Sequence, residues 1–352
     1  MRQFDYSNLD THLFDREIVR LLSTIHEYKG KQSLYIEANP DILNKMYEIA
    51  KIQSTDASNA IEGIRTSDKR LKDLVEKKTT PRNRNEEEIA GYRLVLELIH
   101  DSYEHIHPSS NHILQLHRDL YTYSAVEDGG KFKNVDNVIE EENEQGVKLV
   151  RFRTAPAAFT PEMIRQLCET FSNTIDAKES DPLLLIAAFI FDFVSIHPFR
   201  DGNGRMSRLL TLLLMYRSGY IVGKYISLEM HIERTKEAYY DVLLQSSKGW
   251  HEGVNDYKPF VKYFLSVLLA AYKDFSERVE LIVDQSISKA ERVKYVFDTK
   301  LGKFSKSDIH ILNPDISPKT IEKALKELVE QGVIEKIGIG RSTTYAKINQ
   351  RN

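Results

Sequence analysis

The chain has 352 residues, of which 41% are hydrophobic and 29% charged, and its formal net charge is −3. That length supports a sizeable core and two or three domains, and so slight a charge gives no overall pull toward nucleic acid or an anionic membrane. The lone thiol, Cys168, excludes an internal disulfide and a cysteine-rich zinc site. It agrees with a reducing compartment, and an N-terminus with early acidic residues, in a chain with no apolar run near about 18 residues, points to a soluble, cytoplasmic protein.

The first hundred residues read mostly as helix. Leu43, Met46, Ile49 and Ala50 recur at helical spacing after Pro40 and Asp41, and that segment runs on into Ser54 to Ile64. Small and polar residues dominate one side of it, so it should lie close against another element. Gly63 suits the position just past a helix end, which leaves Glu62 at the C-terminus, where the dipole disfavours an anion. Glu62 is then either a surface residue at a frayed end or a carboxylate in need of a cationic partner. Lys69 to Arg84 is charged, is broken at Thr79-Thr80-Pro81, and reads as an exposed connection. Glu86 to His100 and Ile113 to Tyr121 are two further amphipathic helices.

Turn glycines Gly129 and Gly130 precede near-alternating apolar positions through Val138 and Ile139. An acidic run from Glu140 to Gly146 then leads into Val147 to Phe152, which together signal a hairpin. Pro161 to Thr174 and Pro182 to Val194 are helices, the second apolar all round and therefore buried.

That buried helix delivers HPFRDGNGRMSR, residues His197 to Arg208. Pro198 denies a backbone donor and disfavours a helical His197, while Gly202 and Gly204 allow positive φ and close backbone approach, so a tight loop should end in a new helix near Gly204. Such a loop aims several N–H groups and the positive end of a helix at one spot, which makes an anion site suited to phosphate. Arg205 and Arg208 leave the new helix three residues apart, and their forked donors suit phosphate groups. Asp201 fits there if Mg2+ lies between it and the anion, and His197 can accept a proton near neutral pH. The types converge on nucleotide-phosphate chemistry at a hydroxyl.

This stretch resembles the HPFx(D/E)GNGRxxR signature of Fic-domain proteins, with every fixed position present. The resemblance implies transfer of AMP from ATP to a Ser, Thr or Tyr hydroxyl of a target protein, which can include the chain itself. It implies that His197 is the base, that Asp201 holds Mg2+, and that Asn203 with the amides of Gly202 and Gly204 holds the α- and β-phosphates. Arg205 and Arg208 would hold the β- and γ-phosphates. Ser58-xxx-Glu62-Gly63 resembles the family's (S/T)xxxE(G/N) inhibitory motif, in which the Glu pairs with the second arginine, here Arg208. The hairpin resembles the family's flap, at about 129–153, whose edge at Val138 and Ile139 would hold the target backbone. One departure is Lys133, where the family often has Arg. Gly204 speaks against the kinase relatives, whose motif has Lys there. Relatives that remove AMP use the inhibitory Glu to position water, and that alternative stays open.

Leu209 to Arg217, Ile232 to Ser246 and Tyr257 to Val283 complete the helical part. Tyr239 and Tyr240 on the middle helix read as core. In relatives an aromatic from this helix borders the adenine, so both are also candidate nucleotide contacts. From about Ser288 the pattern changes to helix, turn, helix and two strands, the parts of a winged helix, with Ser317 capping a helix that opens on Pro318. Lys303 to Lys347 holds eight Lys or Arg against six Asp or Glu, a thin excess for duplex DNA, so DNA contact and protein docking stand level there.

The expected fold is therefore mostly α: a helical region over 1–110 carrying the inhibitory motif, a Fic core with its flap over 111–285, and a winged-helix-like module over 288–352. The ligands expected are ATP and Mg2+. Expected partners are the hydroxyl-bearing target, DNA or a protein at the C-terminal module, and a second copy of the chain as a homodimer, with no membrane. A DNA-binding regulator whose core only senses nucleotide is the rival from another class.

Overall fold

The computed structural model describes residues 2–348 apart from 39, 126, 143–147, 179, 284–287, 300–301, 314–315, 339 and 341–342. Six helices come first: α1 (Leu9–Leu13), α2 (Arg16–Ala38), α3 (Pro40–Ile61), α4 (Asp68–Val75), α5 (Arg84–Ser102) and α6 (Ser110–Leu120). An antiparallel hairpin follows, β1 (Val138–Glu142) with β2 (Lys148–Arg153), its register broken by a bulge between Ile139 and Glu140. Then come α7 (Thr160–Ala177), α8 (Pro182–Ile196), α9 (Asn203–Arg217), α10 (Leu228–Arg234), α11 (Lys236–Ser247) and α12 (Lys258–Val283). The chain continues as α13 (Lys289–Thr299), β3 (Lys303–Ser305), α14 (Lys306–Leu312), α15 (Pro318–Glu330), β4 (Ile334–Ile337) and β5 (Thr344–Lys347). The molecule is mostly helical with small antiparallel sheets.

The axis of the main core is α8, in which every residue from Leu183 to Ile196 is buried. Neighbouring α7, α9 and α12 cover it, and one apolar cluster runs from Phe4 to Val279, so residues 1–110 and 111–285 share a single interior. Asp192 is the one charge in α8, and it has no solvent exposure. Burial pushes its pKa up, while four donors stabilise the carboxylate: Tyr6 Oη, Tyr257 Oη and Trp250 Nε1, each at 2.7 Å, and Arg2 at 3.4 Å. A buried carboxylate is tolerable only when so paired. The N-terminal strand of chain is thereby tied to the helix that ends at His197.

Two expectations need correction. The charged stretch from Lys69 to Arg84 is not simply a connection, because Leu71, Leu74 and Val75 lie on one face of α4 and pack against Ile89 of α5. Charge on the outer face hid that short apolar stripe. The expected helix from Ile232 to Ser246 is two, α10 and α11, bent at Thr235, whose hydroxyl donates back to His231 O at 2.8 Å. Such back-bonding bends helices.

From Lys289 onward the elements have their own apolar cluster, including Val293, Phe297, Ile309, Leu325 and Tyr345. Three strands in the order β3-β5-β4 form its sheet, and the short β3 was not legible from the sequence. Ser305 and Asp308 form a capping box on α14, and Ser317 caps α15 with Pro318 in its first turn. The expected turn over 338–341 and the hairpin tip over 143–147 lie partly or wholly outside the described residues. A chain ending at Val283 is expected to unfold in one cooperative transition with a midpoint close to that of the full chain, read by circular dichroism. Loss of folded signal in that truncation would make the last 60-odd residues part of the main core.

Candidate active site

The loop after α8 is held from three directions before any ligand is considered. His197 closes α8 in the left-handed region, with φ 53°, and its N–H bonds Phe193 O at 3.0 Å. Asn203 folds back on the loop: its Oδ1 accepts from Phe199 N at 2.9 Å and its Nδ2 donates to Phe199 O at 2.8 Å. Phe199 is fully buried and stacks on His117 of α6, with ring centres 3.6 Å apart. His117 accepts from Gly130 N at Nδ1, which leaves Nε2–H to donate to Asp201 O at 3.1 Å. Burial holds the His117 pKa down near 4, so that tautomer is neutral.

Lys133 supplies the third anchor. It is 5% exposed, and its ammonium donates to Asn137 Oδ1 and Thr154 Oγ1 at 2.8 Å and to Ile196 O at 3.0 Å. Burial lowers its pKa to about 8. This side chain fastens both feet of the hairpin to the end of α8. The departure to Lys at this position therefore makes a structural clamp, with its charge spent on protein oxygens.

The loop, α11 and the hairpin enclose a cavity of about 580 Å³, within the range of small-molecule sites. His197, Asp201, Gly202, Asn203, Gly204, Arg208, Tyr239, Tyr240, Glu62, Val138 and Ile139 all line it, so most residues singled out in the sequence meet in one place. Imidazole Nδ1 lies 3.2 Å from Val194 O. A carbonyl can only accept, so Nδ1 carries the proton and Nε2 has its lone pair free. Burial lowers the His197 pKa to about 4, which keeps the ring neutral at physiological pH.

Gly202 takes φ 80° at the N-cap of α9, whereas Gly204 is already helical and is needed for a different reason. A Cβ built on Gly204 would stand 2.1 Å from Glu62 Oε1, so only glycine lets that carboxylate approach the first turn of α9. Glu62 reaches there because α3 ends in a Schellman turn: Gly63 has φ 80°, its N–H bonds Ala60 O at 3.0 Å, and Ile64 N–H bonds Asn59 O at 2.9 Å. Arg208 Nη2 then donates to Glu62 Oε1 and to Ser58 O, and Nε to Ser58 Oγ, each at 2.8 Å. Ser58 and Glu62 together occupy one guanidinium, which is 4% exposed.

Arg205 is not beside it. Expected at the phosphates, it does not line the cavity; it is 1% exposed and pairs with Glu88 at 2.8 Å and Tyr121 Oη at 3.1 Å. Three residues of separation did not bring the two guanidiniums to one partner, because Glu88 of α5 takes Arg205 and Glu62 takes Arg208. Asn203 lines the cavity while its side-chain amide closes the loop on Phe199. Tyr239 is 7% exposed and packs on Phe260 and Tyr263, whereas Tyr240 stands more open on the cavity wall. Sequence reasoning missed Arg151 of β2 and Lys236 of α11, both of which line the cavity. Alternation along β2 and the α11 spacing that placed Tyr240 inward were the available signals.

Asp201 is the carboxylate of the loop itself, and its Oδ2 lies 3.5 Å from Arg84 Nη2. It is 55% exposed, accepts from Gly202 N at 2.6 Å, and faces both this cavity and a neighbouring one lined by Arg84, His117, Tyr121, Asp128 and Arg200. No cluster of three or more metal-ligating side chains occurs among the described residues. Mg2+ characteristically takes one or two carboxylates with phosphate oxygens and water, so a single exposed carboxylate fits it.

Residues 107–215 match the Fic/DOC family. The protein adenylyltransferase Fic of Drosophila mojavensis is 25% identical over 278 residues, covering 75% of this chain and 50% of that protein. That of Drosophila yakuba is 26% identical over 217 residues, covering 58% and 39%. The chain thus spans half or less of these curated relatives. Among solved structures, a Fic family protein from Desulfovibrio desulfuricans G20 superposes with a TM-score of 0.63 at 22% identity, covering 96% of this chain and 98% of that one. Fic-1 from C. elegans gives 0.55 at 20% identity, covering 75% and 73%. The matched stretch contains the hairpin and the loop from His197 to Arg208, while Glu62, Lys236, Tyr239 and Tyr240 of the same cavity lie outside it.

Proposed function

We propose that the protein is an adenylyltransferase that moves AMP from ATP to a hydroxyl of a protein target and is restrained by Glu62. The observation that carries the reading is the neutral His197 at a cavity that the glycine loop lines and where the Arg208 guanidinium is already paired with Glu62. ATP lies with its phosphates over the N–H groups at the start of α9. The hydroxyl oxygen attacks the α-phosphorus, the bond to the oxygen bridging the α- and β-phosphates breaks, pyrophosphate leaves, and the proton passes to His197 Nε2. Mg2+ on Asp201 would offset phosphate charge. Tyr240 and Arg151 border the space left for the base.

The target backbone adds to the open edge of β1 beside Val138 and Ile139, which would set its hydroxyl near His197. The chain's own hydroxyls are candidate acceptors as well. With Glu62 in place, Arg208 is withheld from the γ-phosphate and the α-phosphorus is poorly aligned. No helix among the described residues is long and apolar enough to cross a membrane. The elements from Lys289 onward we read as a winged helix, with DNA and a protein surface as its alternative ligands.

The position of the label tests the reaction class. With ATP labelled at the α-phosphate, the protein or its targets should become radioactive; with ATP labelled at the γ-phosphate they should not, since that label leaves as pyrophosphate. Radioactive protein from the γ-labelled nucleotide would make the enzyme a kinase and overturn the proposal.

A further inference from the structure

Besides Arg208, and Asn85 Nδ2 on Arg65 O at 3.2 Å, the turn that carries Glu62 is met by two side chains from the bend between α10 and α11. Arg65, two residues past Gly63, meets Glu233 at 3.1 Å on the exposed side. Lys236 Nζ donates to Ile61 O at 2.6 Å. That carbonyl belongs to the peptide bond joining Ile61 to Glu62, and the same peptide's N–H bonds Asn59 O at 3.0 Å, so both ends of the unit are fixed.

The location of Lys236 is unfavourable for its own helix. It is the first residue of α11, where the dipole repels a cation, while Ile61 is the last residue of α3, where unpaired carbonyls attract one. Lys236 also lines the cavity, with its ammonium 5.8 Å from the Tyr240 ring centre, so it stands between the turn and the space assigned to nucleotide.

We infer that Lys236 is a positioning residue for Glu62: it pins the Ile61–Glu62 peptide so that the carboxylate stays on Arg208. The inference rests on the reading in which Glu62 restrains transfer. A Schellman turn alone leaves the side chain of its cap residue free to swing, and the bond from α11 fixes the peptide from which that side chain departs. Without it, Glu62 should spend less time on Arg208.

The test uses the full chain with Lys236→Met, which keeps the aliphatic stem, and Lys236→Arg, which keeps the charge. Hydrogen exchange at the amides of Glu62, Gly63 and Ile64 should be faster in Lys236→Met and near wild type in Lys236→Arg. Transfer of α-labelled AMP should rise about fivefold in Lys236→Met, the scale of one ordinary hydrogen bond, with no further rise when Lys236→Met is added to Glu62→Gly. Unchanged exchange at those amides overturns the inference, as does an equal fall in transfer in both backgrounds, which would make Lys236 a nucleotide contact. If Glu62→Gly itself raises nothing, the inhibition reading has failed on its own, and the exchange rates still decide whether Lys236 fixes the turn. A circular dichroism melt of each variant separates these effects from unfolding.

Discussion

His197→Ala should lower AMP transfer by about 10²- to 10⁴-fold, the usual cost of losing a general base, while leaving ATP affinity nearly unchanged. The separation follows from the contacts of the ring. Nδ1 is spent on Val194 O, Nε2 is the nitrogen proposed to take the proton, and the phosphates are assigned to loop amides and to Arg208. The pH profile gives an independent reading. An imidazole with an ordinary pKa near 6.5 would be about tenfold less available at pH 5.5. Burial lowers the pKa of His197 to about 4, and lowering keeps the unprotonated base dominant at every pH above that value. The rate should therefore stay level from pH 8 down to 5.5 on this limb and fall only as the pH passes through about 4. Transfer within threefold of wild type in His197→Ala, measured with labelled ATP, would remove His197 from the mechanism.

Glu62→Gly should raise transfer by roughly tenfold or more, since about 1.4 kcal/mol of relieved misalignment is one decade in rate. The carboxylate is one of two groups on Arg208, and the other is Ser58, which bonds it through both Oγ and the backbone carbonyl. Removing Glu62 leaves Ser58 in place, so the guanidinium keeps its position while Nη2 loses its charged partner. It is then poised for a phosphate rather than set loose. Glu62→Gly combined with Arg208→Ala should fall back, because the freed partner is gone. A bystander Glu62 predicts no change in the single variant, and a Glu62 that orients water for AMP removal predicts loss of that reverse reaction.

The local chemistry of the loop was legible in the sequence because it depends on residue types at fixed offsets. Pro198, Gly202 and the start of α9 follow from backbone rules, and Gly63 marks the end of α3 for the same reason. The destination of Glu62 followed from the family resemblance, since a helix end alone says only that an anion there wants a cation. What stayed hidden depends on neighbours distant in sequence. Nothing near Arg205 announces Glu88, more than a hundred residues earlier, and nothing in the apolar run of α8 says that Asp192 will receive Tyr6, Trp250 and Arg2. His117 is likewise an unremarkable helix residue until its ring lies flat on Phe199. The second arginine meets Glu62, the partner that the resemblance implies, because Ser58 and Glu62 sit at the end of α3, which packs against α9.

The most direct test of the central claim is transfer of label from α-labelled ATP in cell lysate by wild type, Glu62→Gly, and Glu62→Gly combined with His197→Ala. The account predicts weak labelling by wild type, strong self-labelling together with new bands for Glu62→Gly, and near-background signal once His197 is also replaced. Equal labelling by wild type and Glu62→Gly, or undiminished labelling by the double variant, would contradict it.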